Sequence, residues 1–212
     1  MALQTAKYYF RQMARDKTIY VGKAFRNMQR KYRLEPLWFC GILIFIFTFT
    51  ALCQEIKELD KVANAILYLA NKQTPGGRNP AKTNYTYRYE LAEQFLEGAR
   101  HFDLPWELGV TIGYNESVYR LDENGTRGEI GIMQVGPLGK RYCKDYCGKM
   151  ETPKEQIYCG YCWFKYGHDF CKDENLEKGL TAYASGDCVS SHPRVIRAVK
   201  KRQRHINEIK EL

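Results

Sequence analysis

Three short stretches carry residue types that can do chemistry together: YNES at 114–117, GEIGIMQV at 128–135 and YASGD at 183–187. Glu116 is the residue on which a reaction would turn. Leu108, Val110, Ile112 and Tyr114 precede it, and Val118 and Tyr119 follow. A carboxyl group in apolar surroundings is desolvated, which disfavours the anion and raises the pKa, as a general acid near neutral pH requires. Most glutamates are simply exposed, so position alone does not decide. Twelve positions after Glu116, two glycines, a methionine and a glutamine stand beside Glu129. The stretch is too glycine-rich for a good strand and too apolar for an ordinary exposed loop.

Read together, ELGVTIGYNES, GEIGIMQV and GLTAYASGD resemble the three motifs of the soluble lytic transglycosylase (goose-lysozyme-like) family. That family has a Glu-Ser pair, then Gly-Ala-x-Gly-Leu-Met-Gln, then Ala-Tyr-Asn-x-Gly. The likeness covers about residues 88–200, and the three motifs in order carry it rather than any one alone. It implies a mainly α, lysozyme-like domain with a groove for peptidoglycan glycan strands. It also implies that Glu116 is the sole catalytic acid/base and that Ser117 beside it helps place the carboxyl or the substrate. Gly128 and Gly131 would let the backbone approach the sugar. Met133 and Gln134 would line the groove, Gln134 bonding a sugar hydroxyl, and Tyr183 would set a phenol near Glu116. The implied reaction cleaves the bond between N-acetylmuramic acid and N-acetylglucosamine and closes a 1,6-anhydro ring, with no cofactor and no metal. Ordinary glycoside hydrolysis uses two carboxylates.

The chain departs from the pattern at Ala184, where Asn is usual. YASGD is closer to the form in transglycosylases of conjugation and secretion machines. Glu129 stands where Ala is usual. It reads either as a second carboxylate facing Glu116, which would restore hydrolysis, or as a solvated loop residue; Asp122 and Glu123 are weaker candidates. A cysteine-rich insert, 139–171, separates the second and third motifs. Cys143, Cys147, Cys159, Cys162, Cys171 and Cys188 read as disulfide partners. The alternative is a zinc site on the first four, with His168 near. Cys159 and Cys162, three apart on a helix, should pair elsewhere and not with each other.

The elements that position these residues read as helices. RYELAEQFLEGARHF (88–102) is one. DLPWELGVTIGYNES (103–117) is a second, with Asp103 as its cap and Pro105 in its first turn. Residues 154–170 and 174–186 are helical around the cysteines, and 192–210 form a basic closing helix. No stretch alternates convincingly as a strand. Trp106, Trp163 and Tyr166 read as core, and His101, His192 and His205 have no partner pattern. Asn84, Asn115 and Asn124 head glycosylation sequons; a glycan at Asn115 would abut Glu116, so a bacterial or phage setting is expected.

Composition accounts for the rest of the 212 residues and a formal net charge of +9. The charge is uneven. Nine Lys and Arg precede position 37, against Asp16 and Glu35. LWFCGILIFIFTFTALC, 37–53, then carries no charge. It is just long enough to span a bilayer as a helix. The basic flank is too long for a cleaved signal peptide, and Phe49 spoils a small-x-small site before Ala51. The expectation is an uncleaved single-pass anchor in a bacterial inner membrane, with residues 1–36 a basic amphipathic cytoplasmic segment and the catalytic domain periplasmic. A phage virion's membrane or entry apparatus is the alternative. Residues 1–36 read as a helix on anionic lipid, a partner-binding arm or a solvated flank, and contact with nucleic acid stays open. Residues 54–84 read as a helical stalk and linker, adding roughly 25 Å and roughly 20 Å of reach. Residues 85–212 form the lysozyme-like domain. The expected function is local opening of the wall for a secretion, conjugation or DNA-entry complex. The alternatives are a lysozyme-type hydrolase on the same fold and a non-catalytic glycan-binding subunit.

Overall fold

The structure is a computed structural model that describes residues 36–72, 79–171 and 175–212, with side chains from residue 45 onward. The basic segment 1–35, the side chains of 36–44 and the linker stretch 73–78 lie outside the described residues. The chain divides into two units, Met1–Gln54 and Glu55–Leu212. Among the described residues the fold is mainly α, and the only β pairing is two isolated bridges, Asn124 with Ile130 and Ile130 with Val135. The helices are α1 (Pro36–Asn71), α2 (Pro80–Thr83), α3 (Tyr85–Phe102), α4 (Trp106–Ser117), α5 (Pro137–Tyr142), α6 (Lys144–Cys147), α7 (Pro153–Phe170), α8 (Leu176–Ser185) and α9 (Pro193–Lys210).

In the first unit, Phe45, Ile46, Phe47, Phe49 and Leu52 expose their side chains on α1. Among the described residues no helix is long and apolar enough to cross a membrane. The backbone of positions 37–44, the first half of the charge-free stretch, belongs to α1, and their side chains lie outside the described residues.

The second unit holds the core. The stalk expectation is corrected here. Val62, Ile66 and Leu69 of α1 are fully buried in one apolar cluster with Leu91, Phe95, Leu108 and Ile112. Polar bonds fasten the same stretch: Tyr89 Oη donates to Asp60, Arg100 pairs with Glu58 at 2.6 Å and Lys72 with Glu208 at 2.6 Å. The apolar residues at helical spacing that read as a free stalk are there because one helix face is covered. The linker expectation is corrected over 79–84 as well: Asn79 caps α2, Asn84 caps α3, and Ala81 is buried.

Asp103 does not cap α4. It ends α3 in the left-handed conformation (φ 52°), its N–H donating to Ala99 O, a position Asp tolerates better than most residues. Pro105 then opens α4. α4 packs tightly on α7 at Gly109, where an added Cβ would lie 2.2 Å from Tyr161 Oη. α7 starts with a full capping box from Thr152 and Glu155. Trp106 packs against the core as expected. Tyr166 does not: it is exposed and lies in a stack with Trp163 and Tyr142.

Three disulfides close the cysteine-rich region: Cys143–Cys162, Cys147–Cys159 and Cys171–Cys188. The zinc alternative therefore has no thiolates. Cys159 and Cys162 take different partners, as their spacing on α7 requires. The first two bonds clamp α5 and α6 onto α7, and the third ties the end of α7 to the loop after α8. Replacing Cys147 and Cys159 together by Ser should lower stability by about 3 kcal/mol, given the loop they close. Chemical denaturation of the non-reduced protein checks this, and an unchanged midpoint would contradict it.

Candidate active site

Glu116 lies in the last turn of α4, which stops one residue later because the backbone turns left-handed at Val118 (φ 56°) and Tyr119 (φ 63°). A β-branched residue in this region is strained. Here neighbours impose it: the Tyr119 ring is fully buried, its Oη donates to Val110 O at 3.1 Å, and its carbonyl accepts from Tyr87 Oη at 2.7 Å. The sharp stop leaves the Glu116 side chain at the helix end with 22% of its surface exposed.

Ser117, next along, is buried. Its Oγ donates to Ile132 O at 2.8 Å. This joins α4 directly to the 128–135 turn, so Ser117 fixes the frame and is not placed to touch a substrate. The turn is held by Gly131 N–H to Glu123 O at 2.7 Å and Gly125 N–H to Glu129 O at 2.9 Å. Gly128 and Gly131 both have positive φ, 80° and 77°.

The expectation that Gly131 clears room for a sugar is corrected. A Cβ there would lie 2.0 Å from Gln156 Oε1. Gln156, on α7 and fully buried, accepts from Ile132 N–H at 2.7 Å and donates to Leu121 O and Met150 O at 3.0 and 2.7 Å. It is the peg on which the turn hangs. Sequence reading missed it, since a glutamine in a cysteine-rich helix gives no signal. Met133 is also corrected: its side chain is fully buried against Gly160 and lines no groove. Gln134 spends both amide hydrogens inside the turn, on Glu123 O and Gly131 O. Gly128 remains exposed at the surface beside Pro137, with Lys140 Nζ donating to its carbonyl.

The third motif meets the second through Tyr183, whose Oη donates to Met133 O. Burial pushes the Tyr183 phenol well up, the Glu116 carboxylate adds to this and Arg202 opposes it. The phenol thus lies in the field of both charges.

Arg202 is the second residue the sequence did not disclose. It sits on α9 in a run that reads as a solvated basic face, yet it is buried and its Nη2 donates to Glu116 Oε1. The exposed cations Arg194, Arg197, Lys201 and Arg204 occupy the other side of the helix. Burial raises the Glu116 pKa above the ordinary carboxylate range; Arg202 opposes this through charge and hydrogen bond, and Glu129 reinforces it. Glu129 is therefore close enough to be felt, though its Oε2 accepts from Arg127 N–H within its own loop at 2.7 Å. Glu123 pairs with Arg120, and Asp122 is exposed. Together these groups form a partly exposed, desolvated carboxyl that can hold a proton and release it, with one fixed cation behind it.

His205, one turn along α9 from Arg202, is buried against Tyr114, with Nδ1 3.1 Å from Asn115 Nδ2. Burial lowers its pKa from 6.5 to about 4. Its folded value lies below its unfolded one, so its contribution is full above pH 6.5 and is lost as pH falls through about 4. Thermal midpoints should drop across that window, and His205→Gln should flatten the slope. Equal slopes in the two proteins would refute the assignment.

A pocket of about 300 Å³ lies between the start of α8, the loop at 188–190 and the start of α9; Glu116 does not line it. In comparison with known proteins, no family model and no curated protein matches this chain.

Proposed function

We propose that the chain is a membrane-anchored peptidoglycan lytic transglycosylase on a lysozyme-like α domain. The observation that carries this is the convergence of three separate motifs on one carboxyl. Ser117 binds the Glu116 helix to the 128–135 turn, and Tyr183 binds the third motif to the same turn. Glu116 keeps a raised pKa and part of its surface open.

The reaction balances on one residue. Glu116 donates its proton to the oxygen joining C1 of N-acetylmuramic acid to O4 of N-acetylglucosamine. The C1–O4 bond breaks, and N-acetylglucosamine leaves with its 4-hydroxyl. The carboxylate takes the proton of the muramic 6-hydroxyl as that oxygen bonds to C1. Glu116 ends protonated, and no water is consumed. Tyr183, with its hydroxyl on Met133 O, faces the cationic transition state.

The support for the anchor is the charge-free stretch 37–53 behind a basic flank, together with the exposed apolar side chains from Phe45 to Leu52. Three disulfides in the second unit fit an oxidising compartment such as a periplasm. A local task, opening the wall for a secretion, conjugation or phage-entry complex, follows from anchoring.

A lysozyme-type hydrolase is the second reading, favoured by Glu129, whose charge acts on Glu116. Mass spectrometry of peptidoglycan digested by the full chain separates the two. Transglycosylation yields 1,6-anhydro ends; hydrolysis yields reducing ends one water heavier. Intact glycan strands after digestion would refute both.

A further inference from the structure

We propose that Arg202 is the positioning residue of Glu116: its Nη2 holds Oε1, so the transferable proton is carried on Oε2. This rests on the transglycosylase reading above. Among the described residues Glu116 makes no other side-chain hydrogen bond, and its side chain is 22% exposed against 7% for Arg202. One carboxyl oxygen is therefore committed to the protein and the other is available to a substrate.

The guanidinium is not placed as a structural ion pair would be. Among the described residues its Nε and Nη1 are buried with no hydrogen-bond partner. Buried arginines that serve stability engage carboxylates bidentately and satisfy their remaining donors. Leaving two donors of a buried cation unpaired is costly; on α4, Thr111 Oγ1 and Asn115 Oδ1 are likewise buried without a partner among the described residues. A residue kept at such a cost points to a role at the carboxyl.

That role follows from the groups facing Glu116. Arg202 comes from α9, Tyr183 from α8 and Glu129 from the turn; Arg202 is the one cation among them. Before reaction the carboxyl is held with its free oxygen outward. After the proton has gone to the leaving O4, Arg202 faces the new anion. It keeps its own proton throughout and transfers nothing.

The test uses the full chain in detergent, with peptidoglycan digestion followed against pH for the wild type, R202M and R202K. R202M should lower the rate by about 10–100-fold and move the alkaline limb of the profile upward by about one pH unit, because Glu116 holds its proton longer without the cation. R202K should restore the limb and recover only part of the rate, since an ammonium lacks the planar fork. An R202M limb that stays put or moves down overturns the proposal. If R202M does not fold, R202K alone decides: a reduced rate with an unmoved limb supports the assignment, and an unchanged rate overturns it. NMR titration of the ¹³C-labelled Glu116 carboxyl, assigned with E116Q, keeps the two readings apart. A wild type that does not digest peptidoglycan, with a titration that still rises in R202M, sinks the transglycosylase reading and leaves the Arg202 placement standing. Digestion with neither limb nor titration moved by R202M does the reverse.

Discussion

Glu116→Gln is expected to reduce anhydromuropeptide release by roughly 10³-fold, the loss typical when a general acid–base is removed. The fold should survive. Glutamine keeps the shape and still offers Arg202 an oxygen acceptor at the Oε1 position, but it carries no proton to give and no charge to receive one. Where Glu116 is protonated the exchange is of one neutral acceptor for another and costs little; where it is ionised, a charged acceptor at a buried cation is lost, about 1–3 kcal/mol. Circular dichroism and adsorption to insoluble wall should therefore stay close to the wild type while turnover disappears. This combination also separates an enzyme from a glycan-binding subunit, because a subunit would lose nothing measurable in the substitution. In the wild type, activity should fall as pH rises through the Glu116 pKa, because deprotonation removes the acid. Burial, which sets the upward direction of that pKa, places this limb above the range of an ordinary glutamate. Undiminished turnover by Glu116→Gln would end the single-acid mechanism.

Gly131→Ala should have the largest structural effect, a loss of about 3 kcal/mol or more together with activity. Two penalties coincide. The backbone sits at φ 77°, which costs any residue with a Cβ. The new methyl would also lie 2.0 Å from Gln156 Oε1, the group that accepts the Ile132 N–H. Displacing that amide unpairs Ile132 N–H, Met150 O and the part-buried Leu121 O together; the first two are buried polar groups costing about 1–3 kcal/mol each when left unsatisfied. Gly128→Ala provides the contrast. It shares the positive φ, but its nearest obstacle is Pro137 Cγ at 3.3 Å, which a few tenths of an ångström of ring movement relieves, so the backbone penalty of about 1–2 kcal/mol dominates. A double-mutant cycle of Gly131→Ala with Gln156→Ala isolates the steric part: the two losses should be far from additive. Urea midpoints check all three variants. Equal effects at Gly128 and Gly131 would show that Gln156 is not the peg.

Those two positions mark where reading along the chain stops being informative. The glycines of GEIGIMQV are legible as positions where a side chain is unwelcome, but their neighbour is not. Gln156 lies 25 residues beyond Gly131 in an insert whose residues read as cysteine scaffolding. Met133 is expected to line a groove because the family resemblance implies it, whereas burial against Gly160 is a property of helix packing. The stalk was misread for a related reason. Val62, Ile66 and Leu69 carry a helical apolar stripe, and such a stripe says that a face is covered without saying by what.

What the sequence determined by itself is local and periodic. The helices around Glu116, the absence of strand alternation, the incompatibility of Cys159 with Cys162 as partners and the charge-free stretch behind a basic flank all depend on neighbours within a few turns. Tertiary structure alone decided which distant groups meet. Arg202 became buried where its exposed neighbours are solvated cations because it lies on the inward face of α9, with Val199, His205, Ile206 and Ile209. The stripe Val199, Ile206 and Ile209 marks the Arg202 position as inward, but charge and hydrogen bonding act through space, and no pattern in α9 names the carboxyl 86 residues away that the guanidinium meets.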